Sequence, residues 1–220
     1  MLGKPNTRRS VKSKLRGLSL EQIENGIYID FEGFGKNRFG EKLPAMCGYR
    51  IGSSGPITQV VFLDALKGAA AKSNLEFWKR KEFITWLLCK LKGGRPLFAF
   101  SNHEDRQMMK ITGRKKSLRG YKNVLAIAKY HFKDRLNEIE ENTLVNFCKL
   151  AGIKVPSDYG KREVTGWMRE IKKHSNSKKK WANAPAEVQA KWNLLLSHNS
   201  FDVTSMFDLM VCIKEQGGPS

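Results

Sequence analysis

The chain has 220 residues, 40% of them hydrophobic, and its 40 lysines and arginines against 21 acids leave a formal net charge of +19. Such a length supports one domain with a substantial core, and such a charge favours nucleic acid, the commonest polyanion, as the partner. The sequence contains no apolar run near the ~18 residues that span a bilayer and no signal-peptide core, which excludes an integral membrane protein. We therefore expect a soluble, cytoplasmic protein.

The N-terminal segment carries six cations and no acid before Glu21. This composition predicts a basic arm over residues 1–22 that stays disordered until it meets a phosphate backbone. The remaining chain predicts a single domain over residues 23–215 and a flexible tail over residues 216–220. An acid-free start with arginine and serine also resembles an organellar transit peptide, so organellar targeting stays open.

Three strands are predicted first along the chain. Residues 27–33 form an apolar, β-branched and aromatic run, and a glycine-rich turn over residues 33–40 follows it. Further strands are predicted at 45–51 and 57–63, because Gly and Pro separate these apolar runs. Together they predict an antiparallel three-stranded meander.

Helices then alternate with further strands. Residues 74–91 show helical periodicity that Gly93-Gly94 ends. A short buried strand at 96–100 leads into Ser101-Asn102, an N-cap pair for a helix that runs to about Ile111. This order predicts an α/β fold in which helices flank a mixed sheet of antiparallel and parallel strands.

The last hundred residues are mainly helical in their pattern. Residues 121–130 fit either a strand or a helix, and residues 172–180 are typical of a polar loop that joins two helices. The other predicted helices cover residues 142–150, 163–171 and 185–213, the last with a candidate break near residues 197–199.

The four cysteines bear on the redox environment. They lie far apart in apolar contexts, without a C-x-x-C pair, at Cys47, Cys89, Cys148 and Cys212. Such spacing supports neither a zinc site nor a disulfide scaffold. We expect buried, reduced thiols of an intracellular protein.

Two acids interrupt the first strand. Side chains alternate along a strand, so Asp30 and Glu32 point to one face while Ile29 and Phe31 point to the other. Two neighbouring carboxylates in an apolar strand raise each other's pKa or bind a cation, and oxygen ligands suit Mg²⁺ or Mn²⁺. A solvent-exposed strand face is the alternative, which the apolar flanks disfavour.

Three further acids are candidates for the same site. Glu104 and Asp105 lie in the first helical turn after the strand that ends at Phe100, where catalytic groups of α/β sheets cluster. Successive helical residues point about 100° apart, so only one of the two can face Asp30. His198 and Asp202 lie four residues apart and project from one helix face. Each pair also has an ordinary structural alternative. Glu104 and Asp105 could simply complement the helix dipole, and His198 and Asp202 could form a surface contact.

Three motifs follow one another along the chain, IYIDFEG at 27–33, FAFSNHE at 98–104 and HNSFDV at 198–203. In this order they resemble the motifs of DEDD exonucleases of the ribonuclease H-like superfamily, and most closely those of a subgroup of predicted ribonuclease H-like nucleases. Residues 142–153 also resemble a helix of that subgroup, and Tyr159-Gly160 and Trp167 fall at its small turn and tryptophan. The subgroup has tyrosine where this chain has His198. Alignment on Phe98–Phe100 selects Glu104 as the third acid, whereas the aspartate-type pattern selects Asp105.

The resemblance implies a ribonuclease H-like fold and a metal-dependent 3′–5′ exonuclease that hydrolyses phosphodiesters of DNA or RNA with two Mg²⁺ or Mn²⁺ ions. By the same resemblance, Asp30 would bridge the ions, and Glu32, Glu104 and Asp202 would complete their ligands. His198 would accept the proton of the attacking water.

Blocks of basic residues predict the nucleic-acid surface. The candidates are Arg106, Lys110, Arg114, Lys115, Lys116, Arg119, Lys178, Lys179 and Lys180. The same charge fits a second hypothesis, a nucleic-acid-binding module or subunit that keeps the fold without chemistry. A larger nucleoprotein assembly is a further candidate partner. An endonuclease on the same fold is a third. Acids that repel phosphate favour the enzyme over the pure binder.

Overall fold

A computed structural model describes residues 18–34, 43–157, 159 and 163–217. Within them a six-stranded sheet has the order β4-β3-β2-β1-β5-β6. Its strands are β1 (Ile27–Glu32), β2 (Met46–Ile51), β3 (Thr58–Val61), β4 (Glu76–Phe77), β5 (Leu97–Ala99) and β6 (Tyr121–Asn123). Residues 1–17 of the predicted arm, most of the predicted glycine-rich turn, Gly160 and residues 218–220 of the predicted tail lie outside the described residues.

Both antiparallel and parallel pairs occur in this sheet. Strand β1 pairs antiparallel with β2, and β2 pairs antiparallel with β3. On its other side β1 pairs parallel with β5, which pairs parallel with β6. The predicted α/β fold, with a three-stranded meander and parallel strands in one mixed sheet, is therefore confirmed.

Helices cover both faces of the sheet. They are α1 (Leu20–Glu24), α2 (Lys67–Lys72), α3 (Arg80–Lys90), α4 (His103–Thr112), α5 (Val124–His131), α6 (Leu144–Leu150), α7 (Val164–His174), α8 (Lys178–Ala182) and α9 (Ala186–Glu215). None of these described helices combines the length and apolar composition that crossing a bilayer requires.

Strand β1 separates two hydrophobic layers because its side chains alternate. Ile27, Ile29 and Phe31 pack with residues of α3 and α4. Tyr28 points to the other layer, where its ring stacks on Phe98 at 4.6 Å between centroids and where the C-terminal half of α9 packs. Polar side chains that follow Tyr28 on this face, Asp30 and Glu32, are therefore directed towards α9.

The prediction of a helix over residues 74–91 is wrong for its N-terminal part. Asn74 has a left-handed backbone (φ +54°) that ends the preceding helix. Glu76 and Phe77 then form β4, which pairs parallel with Val60 and Val61, and the helix begins only at Arg80. Pairing with a distant strand, rather than local periodicity, decides the structure of these residues.

Other boundaries also differ from the predicted ones. Residues 121–130 contain both alternatives, β6 and then α5. The predicted loop at 172–180 is largely helical, since α7 runs to His174 and Ser177 caps α8 by accepting a hydrogen bond from the Lys180 amide at 3.2 Å. Helix α9 is unbroken through residues 197–199.

Residues 18–22, the C-terminal part of the predicted basic arm, lie within the described part of the chain. Leu18 is buried there, and Ser19 caps α1 through a capping box with Gln22. The cysteines also differ in part from the expectation. All four are free, but Cys89 is exposed while Cys47 and Cys148 are buried.

Candidate functional site

The acid cluster begins at the carboxyl end of β1. Asp30 and Glu32 are partly buried there, on the face that α9 covers. Across the antiparallel ladder Asp30 lies opposite Gly48 of β2. The adjacent parallel strand β5 ends at Ala99, close to the start of α4. Residues from three distant parts of the chain can therefore meet at this point of the sheet.

Asn199 of α9 contacts Asp30 directly. Its Nδ2 donates hydrogen bonds to Oδ2 of Asp30 at 2.7 Å and to the backbone oxygen of Asp30 at 3.2 Å. The Asn199 side chain is fully buried, and its Oδ1 accepts from Nε2 of Gln59 at 3.2 Å. Gln59 also donates to the backbone oxygen of Leu196 and to Oγ of Ser200. These bonds fix one carboxylate oxygen of Asp30 and leave Oδ1 for another partner.

Gly48 makes this close approach possible. A Cβ atom built on Gly48 would lie 2.1 Å from Oδ1 and 2.8 Å from Cγ of Asn199. Carbon and oxygen atoms cannot approach so closely, so any side chain at residue 48 would displace Asn199 from Asp30. The glycine thus serves the contact between β1 and α9.

His198 and Asp202 face the same cluster. Nδ1 of His198 lies 3.1 Å from Oδ2 of Asp202, and each side chain is 17% exposed. The contact is an ion pair without hydrogen-bond alignment, since this buried nitrogen has no hydrogen-bond partner among the described residues. One possible ligand atom each from Glu32, His198 and Asp202 lie within 4.8 Å of one another. This spacing suits a single metal ion.

Glu104 is the acid of α4 that faces the cluster. Its carboxylate accepts hydrogen bonds from Oγ of Ser101 at 3.2 Å and from the hydroxyl of Tyr121 at 3.4 Å. Its charge also raises the pKa of both Asp30 and Glu32. Of the two acids that the alternative alignments select, Glu104 is the one that lies near Asp30 and Glu32.

Asp105 has a different position and different partners. Its Oδ2 accepts from Oγ of Ser117 at 2.5 Å, and its Oδ1 accepts from the Leu118 amide at 3.3 Å. Both oxygens are thus engaged by the loop that follows α4, and Asp105 is 6% exposed. The structure gives this acid a role in holding that loop.

Burial and mutual repulsion dominate the electrostatics of the cluster. Burial raises the pKa of Asp30 well above its usual range, and the charges of Asp202 and Glu104 raise it further. The pKa of Glu32 is raised in the same way, by burial and then by Asp30. Burial also raises the pKa of Glu104, because its hydrogen bonds offset the desolvation only in part. Each acid is costly to ionise without a nearby positive charge.

The same negative charges favour the protonated, positively charged form of His198. Burial by itself would lower the pKa of His198, but the adjacent Asp202 carboxylate, with help from Asp30, raises it above the usual value. No lysine or arginine of the described residues forms an ion pair with these four acids. A buried imidazole beside several carboxylates fits a divalent cation, and Asp30, Glu32, Glu104, His198 and Asp202 are the residues that could hold it.

Aromatic rings line the histidine side. The Tyr159 ring lies 5.2 Å from His198 and 4.4 Å from Phe201, between centroids. Sequence reasoning missed Asn199 and Gln59 as functional candidates. A buried-helix asparagine beside His198 is a usable signal for the first, because asparagine is unfavourable inside helices. Gln59 carries no such signal, since its partners are about 140 residues away in the sequence.

The predicted basic residues fall into two groups, near opposite edges of the sheet. Arg106 and Lys110 lie on α4, and the exposed loop that follows it belongs to the β5–β6 edge. That loop carries Arg114, Lys115, Lys116 and Arg119. The lysines of α8, Lys178, Lys179 and Lys180, are exposed on a helix that packs on α2, near the β3–β4 edge. The acid cluster on central strand β1 thus lies between two cationic groups. Comparisons of the chain with known protein families and with curated proteins find no match.

Proposed function

We propose that this protein is a divalent-metal-dependent nuclease, a 3′–5′ exonuclease with a ribonuclease H-like fold. The observation that carries the proposal is the convergence of Asp30, Glu32, Glu104 and Asp202, from three distant chain segments, beside central strand β1. Burial raises the pKa of Asp30, Glu32 and Glu104, so these three acids are costly to charge, and cations relieve that cost. A meander followed by parallel strands on the other side of β1 is also the arrangement that the sequence resemblance implies.

Each acid has its own place in the proposed chemistry. Asp30, with Oδ2 held by Asn199, would hold two Mg²⁺ or Mn²⁺ ions together with Glu32, Glu104 and Asp202. Ions held there would supply Lewis-acid chemistry to water and to a phosphodiester. Tyr121 and Ser101 keep the Glu104 carboxylate oriented by donating to Oε2.

His198 is proposed to accept the proton of the attacking water. It lies within reach of the cluster, and its pKa is raised by Asp202, so the imidazole is protonated at mildly acid pH. A protonated imidazole cannot accept a proton, and turnover should therefore fall as the pH drops. One of its ring nitrogens is also close enough to Glu32 and Asp202 to bind an ion, which is the competing role for the same side chain.

The decisive experiment digests end-labelled single- and double-stranded DNA and RNA with Mg²⁺, Mn²⁺ or chelator and resolves the product lengths. We expect stepwise shortening from the 3′ end that chelator abolishes and that Asp30→Asn reduces by at least about a hundredfold. Asp134→Asn removes an acid whose side chain is 85% exposed and should behave as the unaltered protein. Equal activity of Asp30→Asn and Asp134→Asn would refute the site.

Two further measurements separate the roles of His198 and the type of cleavage. His198→Ala should lower turnover, and full activity of this variant would remove its catalytic role. If the pH profile of the remaining activity flattens while the metal requirement is unchanged, His198 acts as the base and not as a ligand. Digestion of a circular substrate separates an endonuclease, which cuts it, from an exonuclease, which does not.

A nucleic-acid-binding module without chemistry is the second candidate. The observation that favours it is the exposure of the predicted basic residues on both sides of the sheet, which needs no catalysis to be useful. Divalent-ion titration separates the two. An enzyme should gain stability from Mg²⁺ or Mn²⁺, with loss of that gain in Asp30→Asn, whereas a pure binder should be indifferent to the ions.

A further inference from the structure

A second candidate site, lined by cationic side chains, lies at the opposite end of β1 from the acid cluster. A pocket of about 670 Å³ is lined there by four cations, Arg95, Arg114, Arg119 and Lys122. No acid lines this pocket among the described residues. Arg95, Arg114 and Arg119 have no carboxylate partner in the part of the chain that the structure describes. Positive charge that the protein itself does not neutralise favours an anionic ligand.

Apolar side chains form another part of the same wall. Leu18, Leu91 and Leu118 line the pocket, and Leu18 and Leu118 are buried. A purely ionic ligand would gain nothing from leucines. A nucleotide combines a phosphate with a base and sugar that have apolar surfaces, so it matches a pocket with cations and leucines.

Backbone contacts fix where this pocket lies. Pro96 lines it, and the backbone oxygen of Pro96 accepts a hydrogen bond from the Ile27 amide at 2.9 Å, at the first residue of β1. The acids lie at the other end of that strand, and the five residue steps from Ile27 to Glu32 span about 16 Å. The pocket is therefore separate from the acid cluster, by a length that a nucleic-acid strand with the duplex spacing of about 3.4 Å per phosphate covers in about five nucleotides.

The loop that carries Arg114 and Arg119 is held in place by Asp105. Both oxygens of Asp105 accept hydrogen bonds from this loop, at Ser117 and Leu118. Glu21 and Lys92 line a neighbouring depression that Arg95 also lines, but they do not line the pocket itself. Two of the four cations are thus part of a folded loop, and the Asp105 carboxylate that holds this loop is already occupied.

We infer that this pocket, which we call the basal pocket, binds a nucleotide unit of a nucleic-acid strand through its phosphate, away from the acid cluster. The inference rests on the proposed function only in its choice of nucleic acid as the polyanion. Arg95, Arg114, Arg119 and Lys122 contact phosphate oxygens, and the leucines contact the sugar and base.

The test measures binding of a labelled single-stranded oligonucleotide of about a dozen nucleotides to the full chain, in chelator so that no cleavage occurs. Arg95→Gln with Arg119→Gln removes two cations of the basal pocket. We expect affinity to fall about tenfold at low salt, and the slope of log K against log salt to lose about 1.4, since each phosphate contact to a single strand contributes about 0.7. Arg95→Lys with Arg119→Lys should keep most of that slope.

Lys79→Gln with Lys129→Gln is the matched control, because it removes the same charge at exposed positions outside the pocket. This control should change affinity by less than about twofold and keep the salt slope. Unfolding midpoints of all variants should agree. Equal binding by the pocket variant and the control would overturn the inference.

Separation from the acid cluster is tested in the Asp30→Asn background. The fold-loss caused by the arginine substitutions should be the same there, because independent sites contribute additively. Disappearance of that loss would overturn the separate site. A protein without nuclease activity would still show the expected binding result, so failure of the proposed function and failure of this inference are distinguishable.

Discussion

Asn199→Ala is the sharpest test of how the acid cluster is built. The substitution removes the hydrogen bonds to Oδ2 and to the backbone oxygen of Asp30, at 2.7 and 3.2 Å. Gln59 keeps two other acceptors, Leu196 and Ser200, so it is not left unsatisfied. The bond to the carboxylate is the main loss, and hydrogen bonds to charged groups contribute roughly 1.5–3 kcal/mol. We expect the free energy of unfolding to fall by about 2 kcal/mol.

Metal binding should weaken in the same variant. The Asn199 hydrogen bond lowers the pKa of Asp30, against the larger effect of burial, and without it a proton competes more strongly with a cation. Loss of a partner that orients a metal ligand typically costs about 10–100-fold in metal affinity. A tenfold loss reduces the stabilisation by saturating Mn²⁺ by about 1.4 kcal/mol. Denaturant unfolding with and without Mn²⁺ measures both effects.

Asn193→Ala supplies the control on the same helix. Asn193 is exposed on α9, and the substitution should change stability by less than about 0.5 kcal/mol and leave the Mn²⁺ effect intact. If Asn199→Ala matches Asn193→Ala in both stability and Mn²⁺ affinity, the contact between Asn199 and Asp30 does not organise the site, and the reasoning above is refuted.

Three further outcomes are expected. Glu104→Gln should weaken Mn²⁺ binding with little effect on the loop after α4, whereas Asp105→Asn should lower stability by about 1–3 kcal/mol and leave Mn²⁺ binding unchanged; calorimetric titration and unfolding show which acid belongs to which function. Gly48→Ala should reproduce the metal-binding defect of Asn199→Ala, because its Cβ would overlap Asn199, and wild-type Mn²⁺ affinity in this variant would count against that overlap. Finally, metal-free protein should lose stability as the pH rises. The folded pKa of Asp30 is raised above its unfolded value near 4, so its contribution is complete below about pH 4 and is lost as the pH passes the raised value. Unfolding curves across this range should be flatter in Asp30→Asn; an identical slope in both proteins would contradict the raised pKa.

Local pattern was sufficient for much of this architecture. The alternation along 27–33 correctly predicts a central strand with Asp30 and Glu32 on one face, because a strand's period depends on the backbone alone. The four-residue spacing of His198 and Asp202 likewise predicts their contact on one helix face, which the 3.1 Å distance confirms. The order of the meander and the parallel strands follows from short connections and breakers.

Contacts between distant segments decided the rest. Strand β4 exists because residues 76–77 pair with β3, against their helical periodicity. Asn199 meets Asp30 and Gln59 only after α9 packs over the sheet, where Gly48 leaves room for its side chain. The choice between Glu104 and Asp105 depends on which neighbour each carboxylate meets, the acid cluster or the loop at Ser117. Sequence patterns report the period of the local backbone, whereas hydrogen bonds and burial across 100 or more residues arise from packing, and these interactions select among side chains that are equivalent along the chain.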